Sequence, residues 1–115
     1  MKKFSLITLI CFLSFIIYFS CKKKDYKNVD CSALPHTYSA NIKPLINSNC
    51  AIPGCHVTGF PQGDFTSYSG VKASVNGGTF ADAVLYKKTM PQSGALSKDD
   101  RQKIKCWIDE GAPNN

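Results

Sequence analysis

Runs of alternating polar and apolar residues are missing from this chain, and with them any strand of useful length. No segment repeats, and none is of low complexity. These absences exclude a sheet-built domain, a repeat array and a biased tract, and they leave short helices joined by long loops. Histidine is scarce: His36 and His56 are the only two. A zinc site built around one of them would need further ligands. Methionine is scarcer still once the N-terminal leader is set aside, because Met90 is then alone. Cysteine, by contrast, is plentiful for a chain of this length, with six.

The leader reads "MKKFSLITLICFLSFIIYFSC". Lys2 and Lys3 precede an apolar run from Phe4 to Phe19, the pattern of a secretory signal. The run is short for a spanning helix, which needs roughly 20 apolar residues. It stops at Ser20-Cys21, before "KKKDYKN". A small residue before a cysteine at the end of such a run resembles a bacterial lipobox, although Tyr18 stands where leucine is usual. The resemblance implies cleavage before Cys21 and lipidation of its side chain; the other reading is an uncleaved membrane anchor. Either way the body of the chain is exported into the cell envelope and tethered to a membrane, where disulfides persist.

The formal charge is +6 for the whole chain, and losing Lys2 and Lys3 with the leader leaves about +4. Much of it sits in Lys22, Lys23, Lys24 and Lys27, a solvated tether with some attraction to anionic head groups. In an exported lipoprotein this basic balance does not point to nucleic acid. Roughly 85 residues follow from Cys31 onward, one small domain whose core is thin enough to need a staple or a cofactor.

With Cys11 in the leader and Cys21 lipidated, Cys31, Cys50, Cys55 and Cys106 remain. Two arrangements are open. One makes two disulfides, including a small Cys50–Cys55 loop. The other bridges Cys31 to Cys106 and reserves Cys50 and Cys55 for a cofactor.

Helical spacing in "YSANIKPLINSNC" places Ile42, Leu45 and Ile46 on one face. Pro44 belongs in a first turn, so the regular part is expected to begin near 41, capped by Ser39 or Asn41. "TSYSGVKASVNGG" reads as a short helix capped by Ser67 and ended at Gly77-Gly78. "TFADAVLYKK" is another short helix, and "TMPQSGAL" is loop. "SKDDRQKIKCWIDEG" is the clearest helix: Ser97 and Asp100 suit a capping box, Ile104, Trp107 and Ile108 form its apolar face, and Gly111 stops it.

The chemistry is concentrated in "CAIPGCHV", Cys50 to Val57. Two thiols followed directly by an imidazole suit covalent haem attachment, for which the usual spacing is Cys-x-x-Cys-His. Here four residues separate the cysteines, and Pro53-Gly54 would turn the extra length outward. A disulfide loop and a metal site are the other readings of the same residues. Haem iron in electron carriers takes a second axial side chain, often methionine. Met90, in a polar loop stiffened by Pro91, is the candidate; His36 in "LPHTYS" is its rival.

Taken in order, "NIKPLINSNCAIPGCHVTG", "TMP" and "LSKDDRQKIKCWIDEGAPNN" resemble the small class I cytochrome c domains of bacterial membrane-associated electron transport. The resemblance covers about residues 37 to 115. It implies an all-α cytochrome c fold, with N-terminal and C-terminal helices crossing beside a covalently bound haem. By residue it implies one haem c on Cys50 and Cys55, with His56 and Met90 as axial ligands and Trp107 at the helix crossing or against the haem. The expected organisation is a signal peptide (1–20), a lipidated tether (21–36) carrying Cys21, and a haem domain (37–115) with Cys31 and Cys106 bridged. Ile42, Leu45, Phe60, Leu85, Ile104 and Trp107 would contact the porphyrin, and the cofactor-free chain would fold poorly. The expected function is single-electron carriage, not enzymatic catalysis, by a monomer serving membrane or periplasmic redox proteins. Lys87 and Lys88 beside the Met90 loop would be solvated surface charge or would steer an acidic partner. The alternative is a disulfide-stapled binding or structural lipoprotein without haem.

Overall fold

The computed structural model describes residues 28–115. The leader, the lipidation expected at Cys21 and the tether lysines lie outside the described residues. The described chain is all-α, with no strand. None of its helices is long and apolar enough to cross a membrane.

A 3-10 turn, Cys31–Ala33, is the first element of the described chain. A π-helical turn, Tyr38–Ile42, then runs into α1 (Lys43–Asn49). Pro44 lies in the first turn of α1, where a missing N–H costs no hydrogen bond. The coil begins three residues earlier than its spacing suggests, and neither Ser39 nor Asn41 serves as its N-terminal cap residue. Asn41 instead reaches back, its side-chain oxygen accepting from the Thr37 N–H (3.1 Å) and hydroxyl (3.0 Å). The next two N–H groups are satisfied from the far end of the chain: Tyr38 donates to the Asn115 side chain (2.7 Å) and Ser39 to its carbonyl (2.8 Å). A helix start has unpaired donors that something must accept, and here the acceptor is distant in sequence.

α2 (Tyr68–Asn76) starts at Ser67, whose hydroxyl accepts from the Gly70 N–H at 3.3 Å. It ends at Gly77 and Gly78, the latter left-handed at φ +77°. α3 (Thr79–Ala81) passes directly into a second π-helical turn, Asp82–Tyr86. α4 (Lys98–Asp109) is the longest element. Ser97 accepts from the Asp100 N–H (3.1 Å) and donates to the Asp100 carboxylate (2.7 Å), and Gly111 at φ +88° stops the helix.

Gly70 has a specific steric role. A Cβ built there would lie 1.7 Å from the Asp64 carbonyl oxygen, which is backbone and has no side-chain freedom with which to move aside. Gly70→Ala is expected to cost about 1–3 kcal/mol, read as a lowered midpoint in urea. A midpoint equal to wild type would show that the loop before α2 yields freely.

α4 packs against both π-helical turns, and α2 packs against α3. Ile42, Ile46, Val71, Leu85, Ile104 and Trp107 are fully buried between them. The indole of Trp107 stacks on Tyr38 with ring centres 5.6 Å apart, and its N–H donates to the Pro113 carbonyl at 2.9 Å. Trp107 therefore sits where α4 meets the first π-helical turn. Tyr68 meets Tyr38 edge-on at 5.0 Å and donates its hydroxyl to the Ala112 carbonyl at 2.8 Å. A disulfide joins Cys31 to Cys106. It draws residues 31–36 onto α4, so this stretch lies on the domain.

Candidate ligand pocket

α1 ends at Cys50, and the chain folds back on itself at once. The Cys55 N–H donates to the Ile52 carbonyl (2.9 Å) and the His56 N–H to the Cys50 carbonyl (3.0 Å). The residues Ala51-Ile52-Pro53-Gly54 therefore form a closed turn, with Gly54 left-handed at φ +82°. The turn sets Cys50, Cys55 and His56 side by side on the wall of one pocket. Met90 borders the same pocket from the loop after the second π-helical turn, held by its N–H to the Ala83 carbonyl at 3.3 Å. All four residues singled out in the sequence thus meet at one place.

The pocket has a volume of about 390 Å³, within the range of small-molecule sites. Three phenylalanines wall it, Phe60, Phe65 and Phe80, together with Ala83, Val84 and Pro91. Exposed Gln62 and Gln92, and the half-buried Asn49, supply amides. Among the described residues, no carboxylate, lysine or arginine lines it. Sequence reasoning missed Phe65, Phe80, Val84 and Pro91 as pocket residues. The aromatic spacing Phe60, Phe65, Phe80 around the His56 loop is the signal that was available.

His56 is fixed in orientation. Its ring lies flat on Phe65, centres 4.1 Å apart and planes within 5°, and meets Phe60 edge-on at 5.0 Å. The backbone reinforces the stack, since the Phe65 N–H donates to the His56 carbonyl at 2.9 Å. Nδ1 lies 3.1 Å from the Gly63 carbonyl, which can only accept. That contact places the ring proton on Nδ1 and leaves the Nε2 lone pair for a ligand. Burial pushes the Cys50 thiol up to about 11, and the neighbouring Cys55 thiol adds to the effect. At neutral pH Cys50 is a protonated, apolar-like group and a poor thiolate donor. Both pocket cysteines are free, so the small disulfide loop is absent.

His36 is elsewhere, between Leu34 and Glu110, and takes no part in the pocket. Lys87 is paired with Asp82 at 2.7 Å.

The expectation of one covalently bound haem c is corrected. Among the described residues no three His, Cys, Asp or Glu side chains gather into a group that could hold a metal ion. Cys50, one of the two expected attachment thiols, is held protonated. The apolar side chains expected to face a porphyrin are engaged elsewhere. Ile42, Leu85, Ile104 and Trp107 fill the core, Leu45 is half-buried on α1, and only Phe60 of the six borders the pocket. The domain closes a core from its own side chains, which removes the physical need for a ring to complete it. Nothing among the described residues indicates an enzyme activity.

No family model matches the chain, and no curated protein or solved structure matches it.

Proposed function

We propose that the chain is a disulfide-stapled binding module of the cell envelope, tethered through a lipid at its N-terminus, whose pocket takes a flat, largely apolar ligand. The lining of the pocket carries the reading: three phenylalanines and a stacked histidine offer π faces to a planar ring system, and the amides of Gln62 and Gln92 suit a polar edge. The arrangement we propose is that of a small cytochrome c-like fold. Its support is the packing of the first π-helical turn on α4 and the chain order of the Cys50–His56 turn, Met90 and α4.

A second reading, single-electron carriage between membrane or periplasmic redox proteins, is favoured by one observation. An imidazole and a thioether, His56 and Met90, border the same pocket, so a redox-active ligand seated there would meet both. In that case the ligand, and no protein side chain, would be the group that changes oxidation state.

Native mass spectrometry and absorbance of the mature protein taken from its own envelope test both readings. The expected result is one non-protein mass per chain, lost or weakened in Phe65→Ala. A colourless ligand supports the first reading, and a visible band that bleaches on oxidation or reduction supports the second. A chain with no added mass overturns both.

A further inference from the structure

His36 lies in the segment between the disulfide and the first π-helical turn, far along the chain from the α4 residue it meets. Its Nε2 is 2.9 Å from the Glu110 carboxylate, and its Nδ1 faces the Leu34 carbonyl. A carbonyl and an ionised carboxylate can only accept. A neutral imidazole has one N–H and would turn a lone pair toward one of these two acceptors. Only the imidazolium, with two N–H groups, satisfies both. The ring is 14% exposed, so water does little to replace a lost partner. Glu110 also occupies the C-terminal cap position of α4, where the helix dipole favours a cation.

We propose that the His36 imidazolium and Glu110 form the ionic half of a two-part clasp holding residues 31–37 on α4, with the Cys31–Cys106 disulfide as the covalent half. Each half covers the other. While the disulfide is intact, the segment stays anchored at Cys31 and at Tyr38, so losing the ion pair loosens it little. Once the disulfide is reduced, the ion pair becomes the main hold on the whole leading segment, and detachment becomes pH-dependent. The clasp is thus a coincidence device, released by a reductant of dithiol class together with a rise in pH.

The other charged groups nearby are already committed. Lys105 is paired with Asp109 on α4, Lys103 with Asp100, and Lys72 from α2 donates to the Gly111 carbonyl. On the leading segment itself, Asp30 is held by Ser32. Glu110 is therefore the charged group facing His36. The Glu110 hydrogen bond, then the Leu34 carbonyl, hold the His36 pKa above its ordinary value. A raised folded-state value means that the pair is fully present below the ordinary histidine range and is lost as pH rises through the raised one.

The test follows the His36 ring resonances by NMR across pH, together with amide exchange of residues 32–37, in wild type, Glu110→Gln and a Cys31→Ser, Cys106→Ser variant. In wild type His36 should titrate above an ordinary histidine, and Glu110→Gln should bring it back toward that value. In the cysteine variant, exchange across the segment should rise about two- to fivefold on deprotonation, the scale of a partly exposed ion pair. The same rise should be small with the disulfide intact. An ordinary titration in wild type, or exchange in the cysteine variant that ignores pH, overturns the proposal. If the cysteine variant fails to fold, wild type under a mild reductant gives the same comparison.

Discussion

Trp107→Ala is expected to strip the domain of a large share of its stability at room temperature. Truncating a fully buried tryptophan costs about 3–5 kcal/mol, against a total stability for small domains of about 5–15 kcal/mol. Trp107 is at the costly end for structural reasons. It is 0% exposed, stacks on Tyr38 and donates to the Pro113 carbonyl. Alanine would leave a cavity between α4 and the first π-helical turn and take the donor from the half-buried Pro113 carbonyl. The surrounding groups, among them Ile42 and Ile104, sit on different elements and cannot all collapse into the space at once. Urea unfolding followed by circular dichroism measures the loss. Trp107→Phe keeps an aromatic ring against Tyr38 but removes the N–H and part of the indole's volume, so it should lose less, about 1–3 kcal/mol. Equal losses in the two variants would show that the stack on Tyr38 contributes nothing.

Removing the Cys31–Cys106 bridge is the second large effect. The bond spans 75 residues of sequence, and closing so long a loop withdraws about 4 kcal/mol of chain entropy from the unfolded state. A Cys31→Ser, Cys106→Ser variant should lose that amount in urea, with native helix content retained at zero denaturant. The sulfur of Cys106 is fully buried, so part of the loss belongs to the hydroxyls left behind. Reducing the wild-type bond without substitution separates the two contributions. A reduced wild type with an unchanged midpoint would show that the bridge does not restrict the unfolded chain enough to stabilise the fold.

The parts of the fold that were legible in the sequence are those written in neighbouring residues. Ser97 and Asp100 announce the start of α4, Gly111 its end, and Ser67 the start of α2, because a cap and its partner lie three residues apart. The start at Tyr38 was not legible, since its donors are accepted by Asn115 and nothing near Tyr38 says so. Cys50, Cys55, His56 and Met90 were legible as a group because sulfur and imidazole stand out against loop residues. Phe65 and Phe80 were not, because an apolar side chain in a loop or a one-turn helix reads equally well as core or as pocket wall. The same ambiguity produced the haem expectation. Ile42, Leu85, Ile104 and Trp107 have two possible apolar destinations, a ring or one another. The spacing of apolar residues marks a buried face but does not name what covers it.

The disulfide also determines how the domain carries force. A pull arriving along the N-terminal segment enters at Cys31 and crosses the bond to Cys106, reaching the longest helix without passing through residues 32–105. The Cys50–His56 turn and the Met90 loop lie off that load path. Such a pull would strain α4 and leave the walls of the pocket at rest.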